Sequence, residues 1–115
     1  MAEVWTDRIA ELSRRGPCVI WGAGAKGATA LHALDPDATA IAAAIDLNPR
    51  KHGRYVPGTG HPILAPAQLQ GIGPRSMLIA NGNYAPEVRQ ALHALGQSAD
   101  VLVLDEARPD DGRML

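Results

Sequence analysis

Cysteine, net charge, long apolar runs and paired catalytic groups are all scarce in this chain, and each scarcity removes a class of protein. A single cysteine, Cys18, excludes an internal disulfide and any cysteine-rich zinc site. Standing at the start of an apolar stretch, it reads as a small buried hydrophobe. The formal net charge is -1 and the pI is about 6.4, so no global basic field would hold nucleic acid, and none is expected as a partner. No apolar stretch approaches the roughly 18 residues a membrane-spanning helix needs, and the first residues lack the charged and apolar regions of a secretion signal. The expectation is a soluble, cytoplasmic protein. No Ser-His-Asp or Cys-His set and no spaced pair of carboxylates is implied, so no catalytic residue is nominated. His52 and His61 stand nine apart without a carboxylate or thiol partner at ligand spacing, and no metal site is expected. The 115 residues are enough for one domain that buries a core without staples.

What the chain does have is V-I-W-G-A-G-A-K-G over Val19 to Gly27. A β-branched apolar run enters Gly22, Gly24 and Gly27 at the spacing G-x-G-x-x-G, and a segment without proline continues to Leu34. Strand, glycine turn and helix make the phosphate-binding entry of a dinucleotide fold. Gly22 permits the tight turn, Gly24 allows a ligand to approach the backbone, and Gly27 lets helix and strand pack closely. The start of the helix then offers N–H groups and partial positive charge to an anion. Lys26 either adds a point charge near a phosphate or is simply solvated.

The remaining elements follow from periodicity and breakers. Val4, Trp5, Ile9 and Leu12 mark an amphipathic helix over Ala2 to Arg15, ended by Gly16-Pro17. Trp5 packs it on the sheet or against another protein. Strands are expected at Pro17 to Trp21, Ala38 to Ile45, Ser76 to Ala80 and Ala99 to Leu104, with an extended piece near Pro62 to Leu64. Helices are expected at Ala25 to Leu34 and from Pro86 to Leu95, with a short helical turn at Ala67 to Gln70. His32 and His93 on the two long helices read as surface side chains. Residues 105–115 read as a polar, partly disordered tail. Alternating apolar strands and helices imply a parallel sheet with right-handed crossovers. The expected order is second, first, third, fourth, with the Pro62 piece beside the second. The fold class is thus α/β: one small Rossmann-like domain over 1–115, with a parallel sheet of four or five strands and helices on both faces.

In such sheets ligands bind beyond the carboxyl ends of the strands, where the strand order reverses. Asp46 closes the second strand about twenty residues past the glycine turn, where a carboxylate accepts ribose hydroxyls; the alternative is an Asp that caps the following turn. The loop from Leu47 to Pro66 is too long and too rich in Pro and Gly to be a helix. It gathers Asn48, Arg50, Lys51, His52, Arg54, Tyr55, Thr59 and His61. Arg50, Lys51 and Arg54 are candidate phosphate contacts. Thr59, His61, Asn81, Asn83 and Tyr84 are candidates for polar contacts with a sugar or a facing domain. With Gly22, Gly24, Lys26, Gly27, Asp46 and Asn48 they make up the candidate binding site.

G-A-G-A-K-G at Gly22 to Gly27, D-L-N-P-R-K-H-G-R-Y-V-P-G-T-G-H-P-I from Asp46 to Ile63, and N-G-N-Y at Asn81 to Tyr84 together resemble the C-terminal domain of the sugar C-methyltransferases. Gly82 departs from that pattern, in which a bulkier residue is usual. The resemblance spans Pro17 to Leu104. It implies a Rossmann-like accessory domain of enzymes that methylate nucleotide-linked deoxysugars with S-adenosylmethionine. In that family a cysteine-rich zinc region and a central methyltransferase domain precede this one, and the 115 residues match neither. The family's S-adenosylmethionine site and catalytic base belong to the central domain, so neither role transfers here. The expectation is a stand-alone accessory domain, not catalytic alone, that binds a nucleotide or nucleotide sugar, or a separate methyltransferase subunit. The alternative is a small nucleotide-binding enzyme of the NAD type, with Asp46 on the ribose and the glycine turn on the pyrophosphate.

Overall fold

A computed structural model of the chain describes residues 2–104, and the expected tail at 105–115 lies outside them. Helix α1 (Ala2–Arg15) is followed by β1 (Cys18–Trp21), α2 (Ala25–Leu34), β2 (Ile41–Ile45), β3 (Ile63–Leu64), α3 (Leu69–Ile72), β4 (Ser76–Ile79), α4 (Ala85–Ala94) and β5 (Asp100–Val103). The strands form one sheet in the order β3-β2-β1-β4-β5, and every pairing is parallel.

The strands are apolar on both faces because both faces are covered. Cys18 and Ile20 of β1, Ala44 of β2 and Leu78 of β4 pack with Trp5 and Ile9 of α1 and Leu31 of α2. Their neighbours Val19, Trp21, Ala43, Ile45, Met77 and Ile79 pack on the other side with Leu69 of α3 and with Val88 and Leu92 of α4. Trp5 is therefore a core residue, and the Arg8 guanidinium lies 5.2 Å from its ring centroid. Cys18 is buried as its apolar surroundings predict, and burial, with a smaller contribution from Asp35, pushes its thiol up to about 12. No helix among the described residues is long and apolar enough to cross a membrane.

Most boundaries fall within two residues of those expected, α3 running on through Gly71 to Ile72, and the start of β2 departs furthest. The apolar run suggested a strand from Ala38, yet β2 begins at Ile41. Ala38 takes a left-handed backbone conformation, φ 55°. Asp35, the residue that ends α2, turns its carboxylate onto the backbone just beyond. Oδ1 accepts from the N–H groups of Thr39 (3.0 Å) and Ala40 (3.1 Å), and Oδ2 accepts from Ile41 (2.8 Å). The next N–H groups are already committed, so pairing with a neighbouring strand starts only at Ile41.

The loop from Leu47 to Pro66 is more regular than its composition suggested. A 3-10 turn at Pro49–Lys51 opens it, Tyr55 bridges antiparallel to Pro62, and the buried Val56 seals its underside. His61, completely buried, donates from Nε2 to Asp35 Oδ2 at 2.8 Å. His32 reaches the same loop from α2, its Nε2 2.9 Å from the Pro57 carbonyl.

Burial alone would raise the Asp35 carboxyl, but the hydrogen bonds from His61 and from the Ile41, Thr39 and Ala40 amides overcome it and hold the group below its ordinary value. A carboxyl with a lower pKa in the folded than in the unfolded chain stabilises fully above the unfolded value, about 3.9. That contribution disappears as pH falls through the folded value. Replacing Asp35 with Asn removes the charge from a buried pair and should cost on the order of 3 kcal/mol at pH 7. Urea unfolding should show this loss at neutral pH, with the gap between the two proteins closing below about pH 4.

Candidate functional site

The chain enters the sheet at β1, passes to β2 and β3 on one side, and returns to β4 and β5 on the other, so the order reverses between β1 and β4. A crevice of about 460 Å³ opens there. Its floor is the glycine turn with Ala25 and Lys26. Asp46 and Leu47 stand on the β2 side, and Ala80, Asn81, Tyr84 and Glu87 on the β4 side.

The three glycines occupy three different environments. Gly22 has φ +100°, a conformation that side chains rarely adopt, and its N–H donates to the Ile45 carbonyl. A Cβ on Gly27 would collide with the Gly22 carbonyl, so α2 rests directly on the turn. Gly24 precedes α2 and faces open space; having no side chain, it puts no cap over the first N–H groups of the helix. Those groups and Lys26 make the turn receptive to negative charge.

Asp46 caps the turn that follows, one of the two roles weighed for it, and also ties the glycine turn to the strand. Oδ1 accepts from the Asn48 N–H at 2.9 Å, which caps the turn that follows. Oδ2 accepts from the Ala23 N–H at 2.8 Å, 23 residues away, and so fastens the glycine turn to the end of β2. Lys51 Nζ lies 4.0 Å from the same oxygen, and His52 Nε2 donates to the Asp46 carbonyl at 2.6 Å. Each carboxylate oxygen retains a further lone pair for a hydroxyl, and Asp46 lines the crevice.

Of the residues nominated from the sequence, Gly22, Gly24, Lys26, Gly27, Asp46, Asn81 and Tyr84 come together around this crevice. Asn48 and Asn81 close short turns onto the Arg50 and Asn83 N–H groups at 3.0 Å each. Arg50, Arg54 and Asn83 are exposed outside the crevice lining, and Arg54 Nε donates to the Arg50 carbonyl. Lys51 reaches toward Asp46 from the loop. Thr59 and His61 turn inward: Thr59 Oγ1 lies 2.7 Å from His61 Nδ1, and His61 lies against Asp35. That Thr–His–Asp chain was invisible in the sequence, where Asp35 read only as a helix breaker.

Trp21, Ala25, Leu47, Ala80 and Glu87 also line the crevice and were not nominated. Ala80 directly follows β4 and Leu47 stands two residues beyond β2, and that closeness to the carboxyl ends of the strands was the available signal. Leu47 is 59% and Tyr84 50% exposed, so the two sides of the crevice present apolar and aromatic surface suited to a flat ring.

The family model described as C-methyltransferase C-terminal domain matches residues 3–104. The chain belongs to that family. The match takes in α1 as well as every strand, so the resemblance read from Pro17 onward extends to the N-terminal helix. No curated protein matches the chain.

The contrast among the glycines is testable. Gly27→Ala should destabilise by about 1–3 kcal/mol through overpacking against the turn, whereas Gly24→Ala, with φ -78° and open space around it, should leave the thermal midpoint almost unchanged. Differential scanning calorimetry of the two variants makes the comparison.

Proposed function

We propose that this C-methyltransferase C-terminal domain is a cytoplasmic accessory module. It binds a nucleotide or nucleotide-linked sugar in the switch-point crevice, presents it to an S-adenosylmethionine-dependent catalytic domain, and does not transfer methyl groups alone. The observation that supports this most is the junction of the uncapped glycine turn with the Asp46 carboxylate in one open crevice. In this reading the diphosphate lies on the α2 N-terminus and Lys26. A ribose hydroxyl donates to Asp46, and the base rests between Leu47 and the Ala80–Asn81 corner. Arg50 and Arg54, exposed outside the crevice, meet the partner domain or the outer end of the ligand.

Isothermal titration with a panel of nucleoside diphosphates and nucleotide-linked sugars tests the proposal. Binding should appear at or below millimolar concentration and fall at least tenfold in Gly24→Val, whose side chain would stand where the ligand meets the backbone. No heat from any member of the panel would exclude a receptor role for the crevice, and turnover of a nucleotide-linked ketosugar by the purified chain would exclude the accessory reading.

A second expectation concerns the loop. Arg50→Ala combined with Arg54→Ala should weaken binding of the ligand or of a catalytic partner about tenfold while barely moving the melting temperature, since neither side chain is buried. A large drop in melting temperature with unchanged binding would assign these residues to loop structure instead.

A further inference from the structure

Away from the crevice, three side chains form a hydrogen-bonded series that the binding role does not use. Thr59 Oγ1 is 2.7 Å from His61 Nδ1, and His61 Nε2 is 2.8 Å from Asp35 Oδ2. Their burial is graded: Asp35 and His61 are enclosed, while Thr59 is partly exposed between two exposed glycines. The hydroxyl end of the series is thus nearest solvent, with the imidazole and carboxylate dry behind it.

The proton positions follow from the partners. Asp35 is an acceptor, already taking the Thr39, Ala40 and Ile41 N–H groups, so His61 must donate to it from Nε2. A ring that serves as a base carries its lone pair on Nδ1, and toward that lone pair Thr59 donates its hydroxyl proton. This is the wiring of a hydroxyl nucleophile, base and orienting carboxylate, with the two ring nitrogens exchanged relative to the serine hydrolases.

The loop is also built to hold the hydroxyl still. Gly58 and Gly60, with φ +90° and +86°, turn the chain on either side of Thr59. The Val56 N–H donates to the His61 carbonyl at 2.8 Å, and the Gly60 N–H to the Val56 carbonyl at 2.9 Å. His32 packs against Gly58 and bonds the Pro57 carbonyl.

We propose that Thr59 is a nucleophile toward activated acyl esters, with His61 as its base and Asp35 as the residue that positions the ring. Thr59 Oγ forms a bond to the acyl carbon as its proton passes to His61 Nδ1. The ester C–O bond then breaks, and the departing oxygen takes that proton. Water attacks the acyl-threonine by the same route, releasing a carboxylic acid and restoring the hydroxyl.

The probe is 4-nitrophenyl acetate, with the full chain as the protein. The expected result is a burst of nitrophenolate approaching one equivalent, with an acetyl group on the peptide that carries Thr59 when the reaction is quenched early. Thr59→Val keeps the shape without the hydroxyl and should reduce the burst at least tenfold with circular dichroism unchanged; Thr59→Ser should retain it. Absence of a burst, an acetyl group found only on Lys26, Lys51 or Tyr55, or a burst unaltered in Thr59→Val would overturn the proposal and leave the series as a structural tie.

Discussion

A carboxylate enclosed in a domain of this size has to find a donor for each oxygen, and the way Asp35 does so organises the half of the fold that follows it. Its position ends α2, its acceptance of three successive amides sets where β2 starts, and its pairing with His61 draws the distant end of the loop under the sheet edge. With that end held, the Tyr55–Pro62 bridge forms and β3 pairs with β2. The arrangement is sensitive for the same reason that it is effective: a buried charge with partners is stable, and the same charge without them is strongly unfavourable.

The second carboxylate, Asp46, works at the opposite end of β2 and under different conditions. It lies in the mouth of the crevice, where it joins the glycine turn to the strand through Ala23 and caps the next turn through Asn48. The anion-receptive turn is thereby held against a fixed negative charge. This suits a ligand that brings both a phosphate for the helix start and a hydroxyl for the carboxylate, and it suits a bare anion less well. Glu87 on the β4 side adds to that preference.

The match over 3–104 covers every element of the fold, and within it the chemistry-bearing groups separate into two places. The crevice collects backbone donors, a lysine and carboxylates, the groups that the proposed binding role uses. Away from it, Thr59 and His61 of the loop and Asp35 at the end of α2 form a hydrogen-bonded series.

The sequence by itself determined the α/β class, the order of the four main strands, the glycine turn and the place where the strand order reverses. These depend on short-range facts: apolar runs of strand length, 3.6-residue periodicity in Val4, Trp5, Ile9 and Leu12, and breakers at Gly16-Pro17 and Asp35-Pro36-Asp37. Gly27 was legible for the same reason, since the spacing of the turn places helix against strand wherever it occurs. Only the tertiary structure decided which polar residues share a surface. Asp35 and His61 are 26 residues apart and Ala23 and Asp46 are 23 apart, so nothing in the local pattern links them. Arg50, Arg54, Thr59 and His61 belong to one loop and look alike in composition, yet the two arginines face solvent and His61 is completely buried. The path of that loop depends on burying Val56 and satisfying Asp35, and both requirements are met only once the sheet and α2 are in place.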